Sequence, residues 1–533
     1  MRDLTGVVRS IQVQRHESRL THHGSRITHH GSRITHHASR MKLPTRMSNY
    51  RRWFVSELAA GIQMPLKTKI LIAITIFLVS YATKSLHAVD LAPVMYTSQE
   101  PLGSLSDAYD TVASSILLGE GLLGPRYEDP RRTAPLARAP GYPIYLSAIY
   151  SLFGRDYFRV QAVQNVLNSI SPILIFLIAG NLLSWRVGAI SGLLSAVSHH
   201  LSYMSNWILP DSISALFLLA AVYFLVLARR APYSYWLYSL AGGMIGISAW
   251  LRSLTLMFGL FVVAVLAIIS IRRWPVVRRA IVMTLVSFLV IAPITIKNYL
   301  RYGEFVPINI QMGLVLWVGI ADASGDRFGA TPDDNEVASQ EAVIYGKPEY
   351  ARDWSSPDGI ERDRDRIKKS LRIIRDHPVW YAGVMLDRMG EMVKYSAHAP
   401  LVYRSREGVP EARAQTRETW QSFTSAQPTL VGEKLSWLRS PIRLVQRITK
   451  ETLLGFILLG MALMFLVSWR RSMFLLIVPL YHLLFQSFMH TEFRYGLPMH
   501  YFLFVFAAVV WALILTLLWN GLRGIVRRRA GKS

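Results

Sequence analysis

Acidic side chains gather in the segment 104–154, which lies between the first two long apolar runs of the chain. Asp107 and Asp110 precede the stretch VASSILLGEG, and one of the two would cap the start of a helix there. The other would be available for chemistry, because a carboxylate within hydrogen-bond reach can take the proton from an attacking hydroxyl group. We therefore predict a catalytic loop in this segment, with Asp107 as the favoured general base and Asp110 as the alternative.

Arg138 stands directly before the sequence Ala-Pro-Gly-Tyr-Pro. The two prolines fix their own φ angles and restrict the residues before them, so this junction is stiff. A planar guanidinium group matches phosphate because it donates two parallel hydrogen bonds. We predict that Arg138 contacts a phosphate near the lipid headgroups; the alternative is an ordinary surface arginine.

Apolar runs of near-spanning length dominate the rest of the chain. Hydrophobic residues make up 51% of it and charged residues only 17%, against roughly 25% charged residues in soluble proteins. Since about 20 apolar residues cross a bilayer as a helix, we predict an all-α polytopic membrane protein with about ten transmembrane helices (range about 10–13). The runs are 69–87, 158–183, 187–205, 211–228, 234–251, 254–271, 280–296, 452–469, 473–489 and 498–519.

Arginine clusters between the runs indicate the orientation. Basic residues precede the first run and follow the last, and short loops carry arginine pairs at 229–230 and 470–471, so the positive-inside rule places both termini in the cytoplasm. The run 141–154 would reach only about 21 Å as a helix, too short for a core of about 30 Å. Counting it as a span would also place the later arginine clusters on the outer side, so we predict that it is an interfacial helix on the outer face.

The net charge of +25 lies largely in these clusters. A basic chain of this kind could bind nucleic acid, but charges placed beside apolar runs indicate contact with membrane lipids instead. We therefore predict no nucleic-acid partner.

The same boundaries divide the chain into successive parts. Residues 1–64 form a cytoplasmic N-terminal region, whose three His-rich repeats at 18–40 either bind metal or lie upstream of a later start such as Met41 or Met47. The other predicted parts are a transmembrane catalytic module 65–296 with the outer loop 88–157, a large and mainly helical outer segment 297–451, C-terminal transmembrane helices 452–520 and a basic cytoplasmic tail 521–533.

Two cations interrupt the charge pattern, because Arg252 in AWLRSL and Arg494 in HTEFRYGLP both fall on the outer side. Snorkelling of long side chains to the headgroups is one explanation. An anionic partner on the same side as the acidic loop is the other. On that interpretation Arg252, Arg494 and the adjacent Tyr495 bind a lipid phosphate.

Asp211, Glu492 and Asn298 are further polar candidates at the outer face, for acceptor binding or for a structural role. Asp211 would also suit the start of a helix through the macrodipole. His199 and His200 are weak candidates for metal ligands, since adjacent histidines lack the i, i+4 spacing of a helical site. No Walker A motif, no GxSxG motif and no GxGxxG motif after a strand occurs in the sequence, so we predict a membrane-borne donor rather than a soluble nucleotide.

Characteristic motifs follow one another between about residues 65 and 520. They are SDAYDTVASSILLGEG; RAPGYPIYLSAIYSLFG followed by RVQAVQNVLNSI; WILPDSISALFLLAAVYFL; WLRSLTLMF; APITIKNYLRYGEFVPINIQMGLVLWVG; and HTEFRYGLPMHYF. In this order they resemble the GT-C type glycosyltransferases that use a polyprenyl-phosphate-linked sugar. That group contains aminoarabinose transferases and dolichyl-phosphate-mannose protein mannosyltransferases.

The resemblance implies a glycosyltransferase of the cell inner membrane with a periplasmic active site. It would move a sugar, with inversion, from a polyprenyl-phosphate donor to a hydroxyl group of a glycan, lipid or protein acceptor. Asp107 would be the base, and Arg138, Arg252 and Arg494 would hold the departing phosphate. The family often has two adjoining acids, whereas two residues separate Asp107 from Asp110. This difference leaves the base assignment and a divalent metal open, and no other cofactor is predicted.

Two other functions stay open from the sequence. A polysaccharide polymerase or ligase would use a whole lipid-linked glycan as donor. A transporter or flippase would carry ionisable groups at mid-membrane and internal repeats. Because the polar groups of this chain gather at one face, we favour an interfacial enzyme.

Overall fold

The apolar runs fold as α-helices. The computed structural model describes residues 64–97, 104–122, 131–231, 234–270, 274–393, 436–492 and 494–530, all within the unit Asn49–Ser533. In these ranges the chain forms eighteen α-helices and no β-strand, so the predicted all-α architecture is confirmed. The His-rich repeats at 18–40, nearly all of the region 1–64 and the end of the basic tail lie outside the described residues.

The first half of the chain supplies nine helices, several of which begin at a capping side chain. The Asp156 carboxylate accepts a hydrogen bond from the Phe158 amide at 2.8 Å, and the Ser198 hydroxyl accepts one from the Leu201 amide at 3.3 Å, as expected of N-caps. In chain order the helices are α1 Leu66–Thr97, α2 Ser104–Leu117, α3 Gly141–Phe153, α4 Tyr157–Asn168, α5 Ile170–Leu182, α6 Trp185–Val197, α7 His199–Asn206, α8 Asp211–Ala228 and α9 Tyr235–Leu251.

The second half supplies the other nine. They are α10 Phe258–Ile269, α11 Trp274–Tyr302, α12 Met312–Ser324, α13 Asp334–Tyr345, α14 Gly359–Asp376, α15 Pro378–Val393, α16 Ser436–Leu475, α17 Ile477–Ser487 and α18 Leu497–Ala530. Pro378 is the first residue of α15, since proline is tolerated in the first turn of a helix but not in its interior.

Six helical stretches in the described ranges are long and apolar enough to cross a membrane. They are Leu66–Val89, Tyr157–Leu182, Asp211–Ala228, Trp274–Tyr302, Thr452–Leu475 and Leu497–Arg523. The other predicted runs also fold as helices, but shorter ones; α9, for example, has 17 residues. The helix α3 is not among the six, in keeping with its prediction as interfacial. The chain is a multi-pass membrane protein.

Helices α8 and α11 carry arginines at one end. Arg229 follows α8 directly and lies 5.4 Å from the ring centre of Phe474. Arg279, near the start of α11, lies 4.7 Å from the ring centre of Tyr235 at the start of α9. Such cation–π contacts fix the arginines of different loops beside aromatic rings. The other end of α8 and the C-terminal end of α9 border one cavity, and the segment after α11 forms part of its wall.

The described part of the segment 297–451, which was predicted to lie outside and is called the outer segment, is helical and is built around a buried ionic cluster. Arg366 donates to both carboxylate oxygens of Glu341 at 2.7 Å each, and Arg362 donates to Oε2 of the same residue at 2.7 Å. Arg362 also donates to the Asp353 carbonyl at 2.8 Å. A buried network of this kind specifies one packing arrangement when its groups are hydrogen-bonded. The prediction of a mainly helical outer segment is confirmed for these residues.

The chain before Arg138 is fastened to this outer segment. The Gly359 amide donates to Oγ1 of Thr133 at 2.8 Å, and the Ile310 amide donates to the Leu136 carbonyl at 3.0 Å. The outer segment therefore fixes the backbone from which Arg138 extends.

Candidate active site

A cavity of about 410 Å³ opens where α8 begins and α9 ends. The segment 305–312 forms another wall, and side chains from 481–495 complete it. Most of the lining is apolar, including Leu209, Leu256 and Phe485. The charged lining consists of Arg138, Asp211, Arg252, Asp363, Arg364 and Arg494. Four arginines against two aspartates give the cavity a positive field that favours an anionic ligand.

Arg252 and Asp211 form an ion pair on the cavity wall. Nη1 of Arg252 contacts Oδ1 of Asp211, whose side chain is only 4% exposed. The buried Oδ2 of Asp211 and the buried Nε of Arg252 have no hydrogen-bond partner among the described residues. Because buried polar atoms are nearly always hydrogen-bonded, this pair has bonding capacity left for a bound molecule.

The ring of Tyr495 contacts two guanidinium groups. Cζ of Arg252 lies 4.1 Å from the ring centre and Cζ of Arg494 lies 5.0 Å from it, within the range of cation–π attraction. Burial and the charge of Glu492 raise the pKa of Tyr495 to about 12, so its hydroxyl stays protonated at neutral pH. The aromatic ring thus holds two like charges close together at the edge of the cavity.

Glu492 binds both Arg494 and Tyr495. Nε of Arg494 lies 2.6 Å from Oε2 of Glu492, and Nη2 donates to Oε1 at 2.9 Å. The Tyr495 hydroxyl donates to the same Oε1 at 3.0 Å. Burial acts to raise the pKa of Glu492, but the charge of Arg494 and the hydrogen bond from His490 outweigh it and hold this pKa well below its usual range. Glu492 is therefore ionised and fixes the direction of Arg494.

His490 joins this group to α12. Its Nδ1 lies 2.5 Å from Oδ2 of Asp322, and its Nε2 lies 3.4 Å from Oε1 of Glu492. Burial would lower the pKa of His490, but the hydrogen bonds to the two carboxylates raise it to about 9. The sequence analysis missed both His490 and Asp322. For His490 the signal was its place four residues before Arg494 in HTEFRY, whereas Asp322 looks like any surface acid.

Arg138 borders two cavities. One is the cavity of about 410 Å³; the other, of about 250 Å³, also has Ala108 of α2 and Trp354 of the outer segment in its wall. Cζ of Arg138 lies 5.8 Å from the ring centre of Trp354. Among the described side chains, no carboxylate forms an ion pair with Arg138, although Asp334 acts on it from further away. The guanidinium group can therefore approach an anion in the cavity.

Two glycines allow the elements of the site to approach each other. A Cβ atom on Gly141 would lie 2.5 Å from the Trp250 carbonyl oxygen, and one on Gly319 would lie 2.7 Å from the His490 amide nitrogen. Either distance is too short for a real side chain. The start of α3 therefore packs directly on the end of α9, close to Arg138, and α12 packs directly on the loop that carries His490.

The two predicted acids of the outer loop both lie on α2. Asp107 falls within this helix, but its side chain lies outside the described residues. Asp110 is buried; it accepts a hydrogen bond from the Tyr150 hydroxyl at 2.7 Å and forms an ion pair with Arg155. Asp110 does not line the cavity, whereas its neighbour Tyr109 does. The carboxylate of Asp110 thus ties α2 to α3.

Asn298 has a structural position. Its Nδ2 donates to the carbonyls of Val306 and Ile308 at 3.1 and 3.2 Å, and it does not line the cavity. It holds the segment after α11 against that helix. This segment in turn forms one wall of the cavity.

The histidines that the sequence analysis considered as metal ligands lie apart from the cavity lining. Nδ1 of His199 lies 2.8 Å from Nε2 of His87, and the ring of His200 packs 4.9 Å from that of His500. Among the residues with described side chains, no group of three or more His, Cys, Asp or Glu side chains could hold a metal ion. The weak metal prediction at His199 and His200 gains no support from this arrangement.

Among solved structures, the chain is similar to the oligosaccharyltransferase of Archaeoglobus fulgidus in the apo form, with 13% identity and a TM-score of 0.48 over 86% of this chain and 52% of that one. ArnT from Cupriavidus metallidurans bound to undecaprenyl phosphate is also similar, with 12% identity and a TM-score of 0.37 over 84% of this chain and 78% of that one. The chain thus spans about half the length of the oligosaccharyltransferase it matches. No curated protein matches it.

One sequence family matches part of the chain. Residues 137–296 match the family described as dolichyl-phosphate-mannose-protein mannosyltransferase. The match covers less than half of the chain, but it includes Arg138, Asp211 and Arg252 of the cavity. The resemblance to GT-C type glycosyltransferases is therefore confirmed, and residues 137–296 carry it.

Proposed function

We propose that this protein is an integral-membrane glycosyltransferase that moves a sugar from a polyprenyl-phosphate donor to an acceptor hydroxyl group. The observation that carries the proposal is the cavity of about 410 Å³, where arginines border an apolar lining at the ends of membrane helices. A lipid phosphate needs both of these environments side by side. The family match at 137–296 supports the same donor class.

The phosphate would lie against Arg252 and Arg494, with Arg138 across the cavity. When the bond to the sugar breaks, negative charge builds up on the departing phosphate, and fixed cations stabilise that charge without reorganising. Tyr495 and Glu492 keep Arg494 in place, and the buried Nε of Arg252 is a donor not used within the described residues.

The lipid chain would lie along the apolar wall. Leu254, Leu256 and Met257 line the cavity directly after Arg252, and Phe305 and Met312 line it on the other side. Phe305 and Met312 are also strongly exposed, which fits side chains that meet an acyl or isoprenoid chain. A phosphate bound to Arg252 would thus place its lipid tail on these residues.

Asp107 is the proposed general base. Asp110 uses its carboxylate on Tyr150 and Arg155, which leaves Asp107 as the acid of α2 for this role. We assign Asp110 a structural role instead. The acceptor would be a glycan, a lipid or a protein.

We further propose that the cavity faces the outside of a cell inner membrane. Arg229 and Arg279 lie at the ends of α8 and α11 that point away from the cavity, and the positive-inside rule places such clusters in the cytoplasm. Both termini would then be cytoplasmic, and the site would be periplasmic.

The test is sugar transfer by the purified full-length protein in lipid nanodiscs, with a synthetic polyprenyl-phosphate sugar as donor. We expect Arg252→Lys to lower kcat by about 100-fold, or about 3 kcal/mol, because lysine cannot reproduce the planar donor group. Arg159→Lys is the matched control, since Arg159 lies on the surface in a pair with Asp156; its rate should equal that of the unchanged protein. Transfer from a soluble nucleotide sugar at the same rate would contradict the proposal.

A further inference from the structure

We propose that His490 is a positioning residue for donor binding: as an imidazolium ion it compensates Glu492, so that Arg494 keeps both its direction and its attraction for an anion in the cavity. The inference deepens the proposed function and rests on its lipid-phosphate donor. His490 itself does not line the cavity.

The backbone of His490 is fixed on both sides. Its amide donates to the Val315 carbonyl of α12 at 3.1 Å, and its carbonyl accepts from Nε2 of Gln486 at 2.8 Å. Gly319 lies so close to the amide that no side chain would fit between them. The backbone of His490 therefore cannot shift without breaking the packing of α12 on this loop, and the imidazole extends from a fixed Cα atom towards its two carboxylates.

The side chain of His490 joins two acids that would otherwise repel each other. Asp322 approaches Nδ1 from α12, and Glu492 approaches Nε2 from the same loop. Oε1 of Glu492 also receives Arg494 and Tyr495. If the imidazole were neutral, the negative charge of Glu492 would be compensated by Arg494 alone. One of the two contacts of His490 with a carboxylate would also lose its donor proton.

The charges around His490 show what this proton does. With His490 protonated, its charge offsets that of Glu492, so that the charge of Arg494 acts on an anion in the cavity. With His490 neutral, Asp322 and Glu492 lose this cation, and Asp334 also acts on the same group. Loss of the proton therefore removes one positive charge beside Arg494 and weakens the attraction for an anionic phosphate.

Two titrating groups that line the cavity, Asp363 and Tyr495, change protonation outside the relevant pH range. Charged groups act on the imidazole from two elements: Asp322 from α12 and Asp334 from α13. Glu492 and Arg494 act on it from its own loop, and the ring of Tyr495 packs against it. Burial raises the pKa of Asp363 to about 6 and that of Tyr495 to about 12. The pKa of His490 is about 9. A measurement between about pH 7.5 and 10.5 therefore reports on the imidazole.

The experiment measures binding of farnesyl methyl phosphate, a phosphodiester with one negative charge throughout this pH range, to the full-length protein in phosphatidylcholine nanodiscs. We expect Kd to rise about tenfold between pH 7.5 and 10.5, as for loss of one charge near a partly buried anion site. His490→Gln should bind about tenfold more weakly at pH 7.5 and show no pH dependence. Asp322→Asn should shift the midpoint of the wild-type curve to lower pH.

His377→Gln is the matched control, because His377 packs on Phe328 away from the cavity, and its curve should match the wild type. A His490→Gln protein that keeps the wild-type Kd and pH dependence overturns the inference, as does a wild-type curve that is flat up to pH 10.5. The flat wild-type curve needs no variant to fold. If the wild type binds the phosphodiester at no pH, the proposed lipid-phosphate donor fails, and the inference fails with it.

Discussion

Arg252 and Arg494 reach the cavity from distant parts of the sequence, and each is held by a carboxylate and by the ring of Tyr495. Both were predicted as phosphate ligands because the predicted topology places them on the side of the membrane that usually carries few cations. The sequence could not predict that Arg252 pairs with Asp211, because this pairing depends on how two helix ends meet. The proposed roles of these residues stay predictions.

Substitution of Asp107 and substitution of Asp110 should have different effects on stability and on activity. Asp110→Asn should lower the free energy of unfolding by about 1–3 kcal/mol, because it weakens a buried ion pair with Arg155 and a hydrogen bond from Tyr150. Asp107→Asn should leave stability unchanged and abolish sugar transfer, because an amide cannot accept the proton of the acceptor hydroxyl.

Thermal unfolding in detergent and turnover of a polyprenyl-phosphate sugar are the two measurements. Normal turnover in the Asp107→Asn protein would remove Asp107 as the base. An Asp110→Asn protein that is fully stable but inactive would return the catalytic role to Asp110.

At the scale of elements, the sequence predicted which runs are helices better than it predicted their lengths. The run 158–183 keeps its predicted length as the stretch Tyr157–Leu182, although Ser169 interrupts it between α4 and α5. The run 187–205 likewise divides at Ser198, whose side chain caps α7. A serine that caps a helix and a serine inside one differ only in tertiary context, so hydropathy alone cannot distinguish them.

The close contact between α3 and α9 can be tested by substituting a glycine at the contact and a second glycine of α9 away from it. Gly141→Ala should raise KM for the donor and destabilise the protein by about 1–3 kcal/mol, because the new Cβ atom meets the Trp250 carbonyl and pushes the start of α3, with Arg138, away from α9. Gly243 lies in α9, the partner helix of this contact, and a Cβ atom there would have no neighbour within 4 Å. Gly243→Ala should therefore leave stability unchanged or raise it slightly.

Donor titrations of transfer activity and thermal unfolding would test both variants. Equal effects of the two substitutions would show that the close approach at Gly141 does not position the site.

At the scale of the whole molecule, most predictions from the sequence rested on the uneven distribution of arginines between the two sides of the membrane. This distribution predicted the orientation of the spans, an interfacial helix at 141–154, and a role for the two arginines predicted to lie on the outer side. It could not predict that the outer segment would be joined to the loop before Arg138 through Thr133 and Gly359. Neither residue type is diagnostic, and the contact joins positions 226 residues apart.

The proposed orientation can be tested directly, because the chain contains no cysteine. Ser339→Cys on α13 and Ala231→Cys after α8 each introduce one thiol at an exposed position. A membrane-impermeant maleimide applied from the outer side should label Ser339→Cys in intact spheroplasts and Ala231→Cys only after permeabilisation. Labelling with the opposite preference would invert the topology and place the cavity in the cytoplasm.

The division of the cavity between early and late parts of the chain has a consequence for biosynthesis. Arg138, Asp211 and Arg252 leave the ribosome long before Arg494, and the hydrogen bond from Tyr481 to the Leu254 carbonyl joins positions 227 residues apart. Domains and helices assemble in the order of synthesis, so a nascent chain inserts its early helices while one wall of the cavity is missing. Lipid phosphate can be held by the full set of arginines only after α17 and the following loop have docked. A chain that is interrupted before this point is therefore a membrane protein without a complete site.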